Sequence, residues 1–277
     1  MPKYSIALDI GATKILAGLV SGNKIIKTIK KPSKSRSTNN EIVKNIKFVI
    51  DQLWDKNVKK IGIAIAAQVD VKNKTIISTT NFNPKFKNIK LADILKKEFK
   101  VPVLIDNDVK CFVKAENIYG YGKVYKNFVA LTFGTGIGGG IISNGELLRG
   151  ENNLAGEAGH MKISGSWVGA VPTCGCGNKY CWETIASGRA WQRIANKYGE
   201  KKANKIIIPN IATGLSNLAT ILNPEAFVLG GGLMEHPHIL KEIRKEFYKQ
   251  NTKPLLRKTQ IVKSKLGDQI ILLGSLM

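Results

Sequence analysis

The sequence lacks a long uninterrupted apolar run, and no apolar stretch of the signal-peptide type follows its first residues. It therefore predicts neither a membrane span nor a secretory leader. Cysteine is scarce, with four residues in 277, and three of the four are clustered, as is typical of a reducing cytoplasm. The hydrophobic content of 43% is ordinary for a globular protein, and the length is sufficient for two lobes. We expect a cytoplasmic protein without a membrane partner.

Acidic residues are also few: 20 stand against 43 lysines and arginines, which gives a formal net charge of +23. Clustered lysines attract phosphate groups regardless of sequence, so a nucleic-acid partner is one hypothesis. The lysines are scattered, however, and few aromatic residues are interleaved with them to form a base-stacking platform. We favour a solvated lysine surface over a nucleic-acid partner, and the same positive field would attract anionic nucleotides.

Three cysteines lie within eight residues, and a histidine precedes the first of them by fourteen positions. These four residues are His160, Cys174, Cys176 and Cys181. Three thiolates and one imidazole complete a tetrahedral shell for zinc, and closed shells of this kind stabilise loops. Disulfide pairing is the alternative, although a Cys-x-Cys pair is difficult to bridge. Glu157 and Glu183 flank the ligands, so a zinc-stabilised loop would direct two carboxylates toward one point.

Two short apolar runs, 4–8 and 15–20, predict a hairpin whose connecting loop is Asp9-Ile10-Gly11-Ala12-Thr13-Lys14. Gly11 permits close approach of the backbone to a ligand, and successive N–H groups in such a turn form an anion nest. Asp9 would repel a phosphate directly but could hold Mg²⁺ through water.

The same pattern recurs 123 residues later, where a strand over 128–132 leads into the loop Phe133-Gly134-Thr135-Gly136-Ile137-Gly138-Gly139-Gly140. Gly11 aligns with Gly134, and Asp9 aligns with Thr132. The shared order of strand, glycine loop, strand and turn indicates an internal duplication. Two such halves predict a cleft with a phosphate-binding loop on each wall.

Two further strands end in residues of chemical interest. A strand over 101–105 leads to Asp106-Asn107-Asp108, at the carboxyl end where ligand sites of α/β folds lie. Asp108 is either a catalytic residue or the cap of the helix predicted over 109–119. A strand over 226–229 leads to Gly230-Gly231-Gly232, which would either admit a flat adenine or form a sharp turn into the next helix.

The other predicted helices span 40–55, 91–99, 187–198, 204–222, 236–251 and 268–277, and the other strands 60–67 and 260–266.

These motifs resemble those of the ROK family (repressors, open reading frames and sugar kinases), within the actin and hexokinase-like superfamily, over nearly the whole chain. The similar segments are Asp9-x-Gly11-x-Thr13-Lys14, Asn107-Asp108, Thr132-x-Gly134-Thr135-Gly136-x-Gly138, Gly156-Glu157-x-Gly159-His160, Cys174-x-Cys176-Gly177-x-x-x-Cys181-x-Glu183, and Pro224-Glu225 leading to Gly230-Gly231-Gly232. The resemblance implies an α/β, two-lobed actin-like ATPase (ribonuclease H-like) fold with a central cleft. The first lobe would comprise 1–108 with a returning helix at 267–277, and the second, with the zinc loop, 109–266.

The resemblance also implies roles for individual residues. Asp108 would be the general base that deprotonates a sugar hydroxyl for attack on the γ-phosphate of ATP. The sugar hydroxyls would bind Asn107, Asp108, Glu157, His160 and Glu183, with the second nitrogen of His160 on a structural zinc ion. The nucleotide would be bound, together with Mg²⁺, by Asp9, Gly11, Thr13, Lys14, Thr132, Gly134, Thr135, Gly136, Gly230, Gly231 and Gly232.

The resemblance implies ATP-dependent phosphorylation of a hexose, with glucose to glucose 6-phosphate as the leading hypothesis and a homodimer as the expected assembly. Kinases of N-acetylmannosamine, N-acetylglucosamine or fructose share the motifs. A sugar-sensing transcriptional regulator is the alternative from another class, but a first strand at Tyr4 is expected to leave no room for its helix-turn-helix. The sequence departs from the family pattern at Tyr180, where glycine is usual, and at Ala66-Ala67, where proline and glycine are usual.

Overall fold

The computed structural model describes residues 3–251, 258–267 and 269–277 of the chain. Asp268, the predicted first residue of the last helix, lies outside them. Within these residues the chain forms strands β1 Tyr4–Ile10, β2 Lys14–Ser21, β3 Lys24–Pro32, β4 Val58–Ile65, β5 Gln68–Asp70, β6 Thr75–Ser78, β7 Val103–Asn107, β8 Phe128–Phe133, β9 Ile137–Ser143, β10 Glu146–Leu148, β11 Ala226–Gly230 and β12 Gln260–Lys263. The helices are α1 Asn39–Asp51, α2 Leu91–Phe99, α3 Asp108–Tyr119, α4 Trp182–Ala186, α5 Gly188–Tyr198, α6 Glu200–Leu222, α7 Ile239–Gln250 and α8 Ile270–Ser275.

The chain divides into two compact units. Unit 1 comprises Met1–Ala115, Arg149–Leu154 and Leu266–Met277, and unit 2 comprises Glu116–Leu148 and Ala155–Lys265. The lobe boundaries that the sequence suggests, after 108 and after 266, stay a prediction.

Unit 1 is built on a five-stranded sheet in the order β3-β2-β1-β4-β7. The β1–β2 and β2–β3 pairs are antiparallel, and β4 and β7 run parallel to β1. Because β1, β4 and β7 are parallel, their carboxyl ends place Asp9, the Ala66-Ala67 turn and Asn107 at the same edge of the sheet. Isoleucine-rich strands and the apolar face of α1 form its core.

Unit 2 repeats this arrangement in a five-stranded sheet with the order β10-β9-β8-β11-β12. Its first three strands are again an antiparallel meander, and β11 and β12 run parallel to β8. The two sheets therefore share one strand order, as the predicted duplication requires. Helices α4 to α7 contribute most of the core on the face of this sheet.

One helix of the described residues, α6, is long and apolar enough to cross a membrane by length and composition alone. More than half of that segment is buried within the protein. Its buried side chains, such as Ile207, Ile211 and Leu215, belong to the core of unit 2. The apolar character of α6 is therefore explained by burial in the core of unit 2, where it packs chiefly against α4, α5 and α7.

Candidate active site

The first glycine loop connects β1 to β2 in unit 1. The N–H of Gly11 donates to the carbonyl of Lys14 at 3.0 Å, and the hydroxyls of Ser33 and Ser35 both donate to the carbonyl of Ala12. Thr13 and Lys14 are exposed, and Asp9 is half-buried at the end of β1. The backbone of the loop is thus held by its internal hydrogen bond and by the two serine hydroxyls, while the side chains of Thr13 and Lys14 remain accessible to solvent.

The second glycine loop connects β8 to β9 in unit 2 and has the same internal bond: the N–H of Gly134 donates to the carbonyl of Gly136 at 3.0 Å. A Cβ atom at Gly134 would have no neighbour within 4 Å, and its φ is not in the left-handed region. Neither packing nor backbone conformation of the chain therefore requires glycine there. A ligand that approaches the bare backbone supplies a reason.

Gly136 differs from Gly134, because a Cβ atom there would collide with the Glu183 carboxylate. The Oε2 atom of Glu183 accepts from the N–H of Ile137 at 3.4 Å. Its Oε1 atom lies 2.9 Å from the Cys174 sulfur and 4.0 Å from His160 Nδ1. Glu183 thereby joins the second glycine loop to the cysteine cluster.

The histidine and three cysteines predicted as zinc ligands converge in unit 2. The ligand atoms of His160, Cys174, Cys176 and Cys181 all lie within 4.8 Å of one another. A regular zinc tetrahedron with Zn–S bonds of about 2.3 Å places ligand atoms about 3.8 Å apart. The observed separations of 3.6 Å between the sulfurs of Cys176 and Cys181, and 3.4 Å between Cys174 Sγ and His160 Nδ1, fit that geometry. All are free cysteines, so disulfide pairing is absent within the described part of the chain.

The thiols of the cluster differ in their ionisation. A hydrogen bond from the backbone of Asn178 lowers the pKa of Cys176 to about 7, whereas burial raises the pKa of Cys174 and Cys181. A divalent cation reverses the effect of burial, because a coordinating thiol is deprotonated. The four donors therefore fit zinc, and His160 Nδ1 faces the cysteines, which leaves Nε2 for another partner.

Tyr180 precedes the third cysteine and has φ of 61°, in the left-handed region. This conformation explains why glycine suits the position, and a bulky residue there costs about 1–2 kcal/mol. We predict that Tyr180→Gly raises the free energy of unfolding by about 0.5–1 kcal/mol, because relief of strain exceeds the entropy that glycine adds to the unfolded chain. Chemical denaturation of the metal-loaded protein measures this change. Tyr180→Ala is the matched control: it removes the ring but keeps the Cβ atom, so an equal gain from both variants would contradict the backbone explanation.

Asn107 and Asp108 lie at the junction of β7 and α3 in unit 1. The Asn107 Oδ1 atom accepts from the N–H groups of Val109 and Lys110 at 3.0 and 3.1 Å, and its Nδ2 donates to the Ala67 carbonyl at 3.1 Å. Asn107 is therefore the cap of α3, and Asp108 is the first helical residue. Asp108 is half-buried, and its Oδ1 also accepts from the N–H of Val109. Its role as a base stays a prediction.

Gly230 is the last residue of β11, and the two glycines that follow it serve different purposes. Gly231 has φ of 89°, and a Cβ atom there would lie 2.7 Å from backbone atoms of Phe133. The left-handed φ agrees with the alternative of a sharp turn, and close packing against β8 is a second, separate reason for glycine at this position. Gly232 is exposed and a Cβ atom there would meet nothing within 4 Å, which leaves space for a flat ligand.

The structure thus assembles two separate sets of predicted residues, one in each unit. Unit 1 holds Asp9, Gly11, Thr13, Lys14, Asn107 and Asp108, and unit 2 holds Thr132, Gly134, Thr135, Gly136, Glu157, His160, Cys174, Cys176, Cys181, Glu183, Gly230, Gly231 and Gly232. Sequence reasoning missed the hydrogen bond between Glu183 and the second glycine loop. It also missed the ion pairs of Arg149 and Lys114 with Asp106.

Comparisons with known proteins agree on the relationship. The chain is 29% identical to a glucokinase of Thermotoga maritima, with 87% of this chain and 86% of that protein covered. It is also 29% identical to the xylose repressor of Bacillus spizizenii, over 98% of this chain and 75% of the repressor. A crystal structure of a ROK family glucokinase from Streptomyces griseus, in complex with glucose and AMPPNP, superimposes with a TM-score of 0.83 at 28% identity, covering 98% and 97% of the two chains.

The predicted fold is confirmed: the chain has the α/β, actin-like ATPase fold of these kinases. The sequence profile of the ROK family matches residues 5–277, which is nearly the entire chain. The chain therefore belongs to the ROK family.

Proposed function

We propose that this protein, as an ATP-dependent sugar kinase of the ROK family, phosphorylates the 6-hydroxyl of glucose. The class of activity is that of the glucokinases to which the chain is similar, in Thermotoga maritima and Streptomyces griseus. Glucose is the acceptor we favour because the Streptomyces structure holds glucose together with a nucleotide analogue. A cytoplasmic location and a homodimer complete the proposal and are supported by the family alone.

The observation that carries this proposal is the arrangement of His160 and Glu183 at the cysteine cluster. The imidazole turns Nδ1 toward Cys174, and the Glu183 carboxylate lies beside it. The second ring nitrogen of this partly exposed histidine and a carboxylate are suited to sugar hydroxyls, each of which donates and accepts hydrogen bonds. Glu157, three residues before His160, would supply a second carboxylate from the same turn.

In the proposed reaction Asp108 accepts the proton of the 6-hydroxyl, and the freed oxygen attacks the γ-phosphorus of ATP. The P–O bond to ADP breaks, and ADP leaves with the electron pair. Phosphoryl transfer of this kind depends on positioning and charge neutralisation more than on covalent chemistry. The two glycine loops would supply backbone N–H donors, and Lys14 a positive charge, to the phosphates.

Two metal ions belong to the proposal. His160, Cys174, Cys176 and Cys181 would hold a structural zinc ion, which would fix the loop that presents the sugar ligands. Asp9 would orient Mg²⁺ through water, and Mg²⁺ would neutralise charge on the ATP phosphates.

A coupled assay of ADP release tests the acceptor, using glucose, mannose, fructose, N-acetylglucosamine and N-acetylmannosamine with ATP and Mg²⁺. We expect kcat/KM for glucose to exceed that for each N-acetylhexosamine by about tenfold or more, the discrimination that a few pocket contacts supply. A higher kcat/KM for an N-acetylhexosamine than for glucose would show that the N-acetylhexosamine is the preferred acceptor. Absence of turnover with every sugar would overturn the kinase proposal itself.

A sugar-responsive DNA-binding regulator is a second candidate. It is favoured by the similarity to a xylose repressor and by the net charge of +23. An electrophoretic mobility shift with duplex DNA at physiological salt decides between the two, because a passive lysine surface loses its affinity as salt rises. Binding that persists at that salt and changes with added sugar would support the regulator.

A further inference from the structure

A buried aspartate that the proposed function does not use lies one residue before Asn107. Asp106 is 3% exposed at the end of β7. Its carboxylate is 3.2 Å from Lys114 Nζ and 3.0 Å from Arg149 Nη2. It also accepts from Asn153 Nδ2 at 3.2 Å and from the N–H of Asn107 at 2.9 Å. Four donors, two of them cationic, thus surround one carboxylate.

These donors decide the charge of the buried group. Burial of Asp106 opposes ionisation, but the charges of Lys114 and Arg149 and the hydrogen bonds from Arg149 and Asn153 outweigh it and lower the pKa of Asp106. The stabilisation from this carboxylate is therefore fully present above the ordinary aspartate pKa of about 3.9, and it is lost as the pH falls through the lower folded value. At neutral pH the aspartate is ionised and holds its partners in place.

Two of the partners come from a segment with an unusual course. Arg149–Leu154 packs within unit 1, although the residues on both sides of it belong to unit 2. Arg149 Nη1 donates to Asn153 Oδ1 at 2.7 Å, and Asn153 Nδ2 donates to the Val69 carbonyl at 3.0 Å. Asn153 is buried and has φ of 59°, a conformation that asparagine tolerates better than most residues. Asp106 therefore holds the segment 149–154 in place through its contacts with Arg149 and Asn153.

The two pieces of chain that meet at Asp106 lead to different groups of proposed sugar ligands. On one side, β7 continues directly into Asn107 and Asp108. On the other side, the segment 149–154 continues to Glu157 and His160 within six residues of its end. The first glycine loop is held by other contacts, those of Ser33 and Ser35 with Ala12. Loss of the Asp106 contacts should therefore affect the sugar and not the nucleotide.

We propose that Asp106 is a positioning residue for sugar phosphorylation, acting through Arg149 and Asn153; the inference rests on the proposed function. Asp106 orders the end of β7 so that Asn107 and Asp108 face the acceptor. It also fixes the segment from which the chain continues to Glu157 and His160. Asp106 itself touches neither substrate.

The first test is Asn153→Gly in the full-length protein, since glycine removes the side chain and still permits φ of 59°. We expect KM and Kd for the sugar to rise about tenfold or more, because hydrogen bonds to a charged group are lost and small displacements of reacting groups are costly. KM for ATP should stay within about twofold, since the nucleotide loop has separate supports. Asp106→Asn, which leaves Lys114 and Arg149 without a counter-charge, should also lower kcat by about 10- to 100-fold.

Glu98→Gln is the matched control, because it removes a carboxylate from the exposed Lys47–Glu98 pair of the same unit. A merely structural role of Asp106 would lower the Tm of the variants and leave KM and Kd of the folded protein at wild-type values, and that result would overturn the proposal. If Asp106→Asn does not fold, Asn153→Gly decides. If the wild type binds sugar but does not phosphorylate it, the proposed activity fails while the sugar Kd, from calorimetry, still tests the positioning. If it binds no sugar, both fail.

Discussion

Asp108→Asn is expected to lower kcat for sugar phosphorylation by about 10²–10⁴-fold, the usual contribution of a general base. The physical reason is that an amide cannot accept the hydroxyl proton at the moment of attack. Asparagine keeps the Oδ1 oxygen that accepts from the N–H of Val109, so α3 should still begin at this residue. We therefore expect Tm within a few degrees of the wild type and a sugar Kd changed by less than about tenfold.

The measurements are kcat and KM from the coupled assay, sugar Kd from calorimetry, and Tm. Asp93→Asn, at an exposed position in the first turn of α2, is the matched control for loss of a carboxylate from unit 1. Retention of more than about a tenth of wild-type kcat in Asp108→Asn would remove Asp108 as the base. A fall in kcat accompanied by loss of folding would instead show that Asp108 is needed to stabilise the start of α3.

Local sequence patterns predicted several elements of both units. The helix Leu91–Phe99 has the predicted bounds, because its apolar spacing and the preceding and following polar residues are all local. The strands leading to both glycine loops were predicted for the same reason. The common strand order of the two sheets also follows the repeat seen in the sequence. Local turn chemistry and periodicity are enough for such features.

The sequence patterns did not predict features that depend on contacts between residues far apart in the chain. Strand β3 has four lysines among nine residues and forms the edge of its sheet, so no apolar alternation marks it. The ion pair of Arg149 with Asp106 joins residues 43 positions apart and depends on the segment 149–154 packing in unit 1. No pattern within one window of sequence contains that information. The same holds for the close packing of Gly231 against the backbone of Phe133, which adds to the turn that the sequence offered as an alternative.

The histidine and cysteine cluster that is proposed to hold zinc combines both kinds of information. Spacing predicted its four members, while the three-dimensional structure adds the link through Glu183 to the second glycine loop. That link joins the proposed sugar ligands to the proposed phosphate site. Removal of one cysteine should therefore weaken sugar binding as well as zinc binding.

Cys176→Ser is expected to abolish stable zinc binding and to raise the sugar Kd by about 10- to 100-fold, the range seen when support of a metal site is lost. Three ligands remain, but a closed structural shell needs four. Cys176 is exposed, so serine there creates no cavity in the core, and any loss of order in the loop follows from the missing sulfur ligand. His160 and Glu183 would then lose the fixed positions on which sugar binding is proposed to depend.

Zinc per chain by mass spectrometry, reactive thiols by titration, and sugar Kd by calorimetry measure the effect without reference to activity. Cys111→Ala is the matched control, because Cys111 is a buried thiol of unit 1 outside the cluster. We expect about one zinc per chain in the wild type and in Cys111→Ala, as a four-ligand shell holds one ion. Wild-type protein that takes up no zinc from a metal-supplemented buffer, or a Cys176→Ser variant with wild-type zinc content, would contradict the assignment. Because the four ligand atoms already lie within 4.8 Å of one another, and two of their separations are 3.4 and 3.6 Å, zinc uptake should need little rearrangement of the cluster.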